Sequence, residues 1–249
     1  SQLPAPDVVE ALDFETILAA MLSDLQARDP EFTALVESDP AFKILEVAAY
    51  RETLLRQRVN EAAKAVMLPY ALGADLDNLA GLFGVVRLVV DPGDENAIPP
   101  VPPKMEADTD FRRRLTLALE GFSTAGPVGA YLFHALSANA DVKDASVISP
   151  TPGNVLVTVL SRTGAGVPDS LVTSDVAAKL NADEIRPLTD TVTVQGAAVI
   201  NYTIAATLHF FDGPDRDVVL QSAQNAAQTY ADAQHRLGRD ITLSGVFAA

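Results

Sequence analysis

Cysteine is absent from the 249 residues. That single absence removes disulfides, thiolate-held metals, iron–sulfur clusters and cysteine nucleophiles, and it leaves the redox compartment open. Histidine is scarce as well. His134, His209 and His235 are the three present, none spaced from another as paired metal ligands and none in an HExxH pattern. Positive charge is short: 18 Lys and Arg stand against 33 Asp and Glu, for a formal charge of −15. A charge of that sign repels phosphate backbones, so nucleic acid is not an expected partner. No run approaches the ~18 apolar residues of a membrane-spanning helix, so no membrane insertion is expected. The stretch SQLPAPDVVEALD has neither a basic n-region nor an apolar h-region, so it does not read as a signal peptide. The protein is expected to be made and folded in a cytoplasm.

The motifs of catalysis are missing in the same way. There is no GxSxG elbow and no Walker loop, and TGAG at Thr163–Gly166 lacks the lysine and spacing of a phosphate loop. The acidic turns at Asp91–Glu95 and Asp212–Asp217 lack the ligand spacing of a calcium loop, and turn chemistry explains both. The sequence is therefore read as having no catalytic, cofactor-binding or metal residues, and as needing no cofactor. Arg112, Arg113 and Arg114 are the one basic cluster. They are read as a solvated helix surface balanced by nearby acids, the alternative being an anion or partner contact.

What is present is apolar periodicity, in a chain that is 48% hydrophobic. Asp13 reads as an N-cap to a helix with Phe14, Ile17, Leu18, Met21, Leu22 and Leu25 on one face. Asp29-Pro30 and Asp39-Pro40 repeat one start signal, an acidic cap followed by a proline that presets the first helical φ. They predict a short helix from about Pro30 and a long one from Pro40 to about Leu68, stopped by Pro69. Along the long helix Ile44, Ala48, Leu55, Val59, Ala62 and Val66 form one stripe, widened by Phe42, Leu45, Ala49 and Ala63. Few short helices are available to cover it. Either the helices cover one another, or the stripe meets a partner chain. A third helix follows in GADLDNLAGLFG, capped by Asp75.

Composition then shifts. Pro92, Pro99, Pro100, Pro102 and Pro103 make residues 91–107 a semi-rigid linker or long loop. A helix resumes near Thr109, and Gly126-Pro127 breaks it and starts another. Val142–Ser149 and Val155–Ser161 read as strands joined by PTPGN. Pro168–Leu180 reads as a helix, and Thr189–Val194 as a strand. Ile200–Phe211 has the cleanest alternation, with Ile200, Tyr202, Ile204, Ala206, Leu208 and Phe210 facing one way. A helix Asp215–Leu237 follows, and LSGVFAA reads as an element cut short.

The fold class expected is α+β: an N-terminal helical domain followed by small ferredoxin-like α/β modules with antiparallel sheets. The expected divisions are a helical domain at 1–90, the proline-rich linker at 91–107, a helical lead-in with a first α/β module at 108–198, and a second module at 199–249, incomplete at its C-terminus.

Several segments together resemble the J-type baseplate protein family of contractile-tailed phages and R-type bacteriocin particles. They are LDFETILAAMLSDL, ADLDNLAGLFGVVR, the stretch from Phe111 to Arg162, RPLTDTVTV and LGRDITLSGVFAA. The most specific is AGP-x-x-AY followed by V-x-DA-x-V-x-SP-x-PG-x-V. The resemblance implies a non-enzymatic, multimeric component of the baseplate wedge, assembled in the cytoplasm and located in the tail particle. Its implied partners are copies of itself and other wedge proteins, with the hub and spike, the sheath and the tail fibres around them. It implies transmission of a conformational change when the sheath contracts. A tail-associated hydrolase and a stand-alone soluble adaptor domain are the competing readings. A hydrolase would need an acid–base or metal cluster, and an adaptor would be monomeric.

Overall fold

A computed structural model of the chain describes residues 4, 6–32, 35–210, 213 and 215–248. The chain divides into two compact units, Ser1–Val86 and Arg87–Ala249, and each is described by itself.

The first unit is helical. Helix α1 (Phe14–Arg28) begins at Asp13, whose carboxylate accepts from the Thr16 backbone N–H at 2.9 Å. That bond satisfies one of the N–H groups every helix start leaves without an intrahelical partner. Helix α2 (Pro40–Ala65) has its proline at the first position, and α3 (Gly73–Gly81) follows. Asp75 lies in the first turn of α3 rather than at its cap, which is Leu72. The helix expected from Pro30 is absent among the described residues, which form turns around 30–31 and 37–39. The core of the unit is the crossing of α1 on α2: Ile17 and Leu18 bury against Ala49, with Phe14, Met21, Leu22, Phe42 and Leu45 around them. Asn60 is buried beside it and holds residue 10 by two bonds, accepting from the Glu10 N–H and donating to the Glu10 carbonyl.

The second unit opens with a two-stranded antiparallel ladder, β1 (Val89–Asp91) with β2 (Lys104–Met105). An isolated bridge from Asp94 to Val101 extends it, so the proline-rich stretch turns back on itself. Helix α4 (Asp108–Thr116), a 3-10 turn (Glu120–Phe122) and helix α5 (Val128–Ala138) lead to strands β3 (Val142–Thr151) and β4 (Asn154–Ser161). Pro152-Gly153 makes the turn between them, with Gly153 at φ +78°, a conformation glycine takes without steric cost. Helix α6 (Ser170–Leu180) crosses over to β5 (Thr191–Gly196). The sheet order is β3-β4-β5, with β3 antiparallel and β5 parallel to β4. The sheet is thus mixed: a helix between two neighbouring strands returns the chain to the same end, which imposes the parallel pair. Val155, Val157 and Val159 of β4 face Tyr131, Ala135 and Leu136 of α5 and Val172, Val176 and Leu180 of α6. The fold class is α+β, as expected.

Beyond Ala197 the pattern changes. Residues 198–210 are in no strand. No described element pairs residues 200–210 by backbone hydrogen bonds. Strand pairing needs a second strand, and periodicity does not supply one. Helices α7 (Arg216–Gln234) and α8 (Leu243–Ala248) follow. Phe211, Asp212, Pro214 and Ala249 fall outside the described residues.

Candidate interaction face

An α-helix turns about 100° per residue, so Ile44, Ala48, Leu55, Val59, Ala62 and Val66 fall within roughly 60° of arc. Of the residues α2 buries, Ala49 packs on α1 and Asn60 holds Glu10, and both lie roughly 120° around the same helix from the stripe. Helix α2 thus carries two apolar faces. One is covered by α1. On the other, Ile44 is 69%, Leu55 69%, Val59 58% and Val66 70% exposed. Ala62 is exposed and Ala48 half-buried. Val47 and Leu54 extend the exposed apolar surface along one flank. At ~1.5 Å per residue, the 26 residues of α2 span about 39 Å. Large exposed apolar surfaces are uncommon on monomeric proteins and mark interaction sites of several kinds.

The stripe is edged by charge. Arg56 pairs with Glu52 at 2.6 Å and with Glu10 at 3.0 Å, and Arg58 lies 3.9 Å from Glu61. These pairs are exposed and contribute little to stability.

In the second unit, two of the three clustered arginines turn to acidic partners, contrary to the reading as a solvated surface, and Arg112 is half-buried. Arg114 is 4% exposed and pairs with buried Glu106 at 2.7 Å. Arg113 reaches Asp144 of β3 at 2.6 Å. The rings and cations interleave: the Arg87 guanidinium lies 4.7 Å, and that of Arg114 5.4 Å, from the centre of the Phe111 ring. Asp110 accepts from Arg162 at 2.5 Å and from Arg236 at 3.0 Å. Burial by itself would raise the Asp110 carboxyl, but the hydrogen bonds and charges of Arg162 and Arg236 outweigh it and hold it below its usual range. Tyr131 donates to Asp190 at 2.8 Å; burial first, and then that bond, push its phenol well up. Desolvation lowers His134, whose Nε2 lies 3.0 Å from the Gly121 carbonyl and so donates to it. Arg114 reaches Glu106 and Phe111 from nearby in sequence, but the contacts of Arg113, Arg162, Arg236 and Tyr131 join residues 31 or more apart, so no local spacing announced those. The one signal was the count of arginines beside acidic residues in 106–114.

Among the described residues, no three or more His, Cys, Asp or Glu side chains are grouped to hold a metal ion. None of their helices is long and apolar enough to cross a membrane. An open groove of about 620 Å³ lies between residues 202–208 (Tyr202, Ile204, Ala206, Leu208) and α7 (Leu220, Ala223, Ala227). Its lining offers no acid–base pair.

Residues 37–94 match the family described as the baseplate J-like N-terminal domain. Residues 123–196, from the end of the 3-10 turn through β5, match the baseplate J-like central domain. A relative named "Baseplate protein J", from Escherichia phage P2, is 48% identical over 256 aligned positions, covering 100% of this chain and 85% of the relative.

Proposed function

We propose, on the premise that this chain belongs to the baseplate J protein family, that it is a structural subunit of the baseplate wedge of a contractile tail, in a phage or an R-type bacteriocin particle. The observation that carries this is the similarity to the phage P2 baseplate protein along the whole chain, at 48% identity. The subunit works by assembly rather than by turnover, with no cofactor. It is made in the bacterial cytoplasm and built into the tail particle around the central hub and spike. Its partners are copies of itself, other wedge proteins, and the sheath and tail-fibre machinery. It passes the change of shape on sheath contraction from one neighbour to the next.

The helical domain, residues 1–90, supplies the bundling surface. Ile44, Ala48, Leu55, Val59, Ala62 and Val66 are its partner interface. The support is physical: an uncovered apolar stripe on a long helix is stabilised by another helix laid along it, at about 25 cal/mol per Å² of apolar surface removed from water. The proline-rich stretch 91–107 sets the junction between the helical domain and the α/β module at 108–198, which the segment 199–249 follows.

The test is to isolate contractile particles from the producing cell and locate the chain by antibody labelling under negative stain. Label at the baseplate end of the tail is expected. Particles that lack the chain, or a chain recovered only as free monomer, would overturn the reading.

A further inference from the structure

From Ala198 to Ala248 no described residue is buried. The segment is an arm of about fifty residues made of a strand-free stretch, α7 and α8, and it contributes nothing to the buried cluster of the sheet beside it. Its covalent attachment is at Ala197, whose N–H donates to the Val159 carbonyl at 2.9 Å. Its second attachment is of another kind. Three consecutive residues at the C-terminus of α7 reach across to α4 and β3. Arg236 donates to the Asp110 carboxylate at 3.0 Å. The Leu237 backbone N–H donates to the Asp144 carboxylate at 3.1 Å. His235 Nδ1 accepts from the Lys143 ammonium at 3.1 Å. His235 also lies over Gly166, where an added Cβ would fall 3.0 Å from its Nε2.

The two carboxylates are fixed from the other side. Asp110 is held by Arg162 at 2.5 Å, and Asp144 by Arg113 at 2.6 Å and by its neighbour's N–H at 2.9 Å. Both carboxylates are thus held by contacts within the sheet module as well as by the arm. Side chains with water as the competing partner make directional bonds that break all at once. Buried apolar surface, by contrast, resists separation along its whole area.

We infer that His235–Leu237 form an ionic clasp on Asp110, Lys143 and Asp144, and that opening it frees residues 198–248 to swing about residues 197–199 while the sheet module stays intact. The clasp stands on these contacts alone and does not depend on the assembly role. Each of its three bonds ends on the module that also carries β3, β4 and α5, so a pull on the arm is delivered to that module at one place.

The chain has no native cysteine, which makes a pairwise label clean. Spin labels at Ser174→Cys on α6 and Ser222→Cys on α7, both exposed, report the distance between sheet module and arm in the full chain. A narrow distribution is expected with the clasp intact. Arg236→Ala, and separately Asp110→Asn, should broaden it and raise the open population about tenfold, the weight of one charge-assisted bond. Amide exchange of β4 is measured on the same samples and should stay unchanged. An unchanged narrow distribution in both variants overturns the clasp. So does a distribution already broad in the unsubstituted chain. Loss of β4 protection in both variants would make these residues part of the module's core, and would overturn it too.

Discussion

At the scale of single residues, the second unit depends on a few positions whose chemistry allows no substitute. Gly126 has φ +75°, and a Cβ there would lie 2.7 Å from Pro187 Cγ and 3.0 Å from the Asp190 carboxylate. Gly126→Ala is therefore expected to lower the stability of the unit by about 1–3 kcal/mol, through left-handed strain and a collision that a proline ring does not relieve. Urea denaturation checks it. Asp110 gives a pH prediction. Its folded value lies below the ordinary 3.8, so its contribution is fully present above that value and is lost as pH falls through the lower, folded one. Unfolding free energy should stay level in this respect from neutral pH to about 4 and decline below it. Asp110→Asn should remove that part of the acid limb. Arg114 buried on Glu106 is the residue-scale case the sequence hid. Three adjacent arginines in an acidic chain look alike, and only contacts between distant strands and helices decide which of them is desolvated.

At the scale of elements, periodicity was enough where a helix or strand finds its partner nearby. The Asp13 cap, the proline at the start of α2, the PTPGN turn between β3 and β4, and Val172, Val176 and Leu180 on α6 all follow from spacing and turn chemistry. It was insufficient where the partner decides. Alternation over 200–210 describes a surface, and a strand exists only when another backbone accepts its hydrogen bonds. The stripe on α2 is the same lesson with a different outcome. Spacing identified an apolar face, yet α1 covers the face centred on Ala49, and the stripe itself stays open. The two faces should respond differently to mutation. Ala49→Leu, at a position with no exposed surface, should overpack the α1–α2 contact and cost about 1–3 kcal/mol. Val59→Glu, at an exposed site, should change the stability of the isolated chain by no more than about 0.5 kcal/mol. Thermal denaturation of the two variants beside the unsubstituted chain makes the comparison.

At the scale of the whole molecule, the two units carry separate evidence for one role. The helical unit presents an exposed apolar stripe from Ile44 to Val66, about 33 Å long. The α/β unit presents a packed mixed sheet to which an unburied arm is fastened by charge. Among the described residues, no three or more His, Cys, Asp or Glu side chains are grouped to hold a metal ion. Both arrangements are suited to a subunit whose neighbours complete it. The charge of −15 works against close approach of like-charged copies, which concentrates association on uncharged surfaces such as the stripe. The measurement that bears on this most directly is a count of assembled tail particles, by negative-stain microscopy, from producing cells whose sole copy carries Val59→Glu. Soluble, folded Val59→Glu protein with particles missing or reduced at least about a hundredfold is expected from a charge buried at a helix–helix contact. Particles in normal number would contradict the proposal that α2 joins this chain to its neighbours.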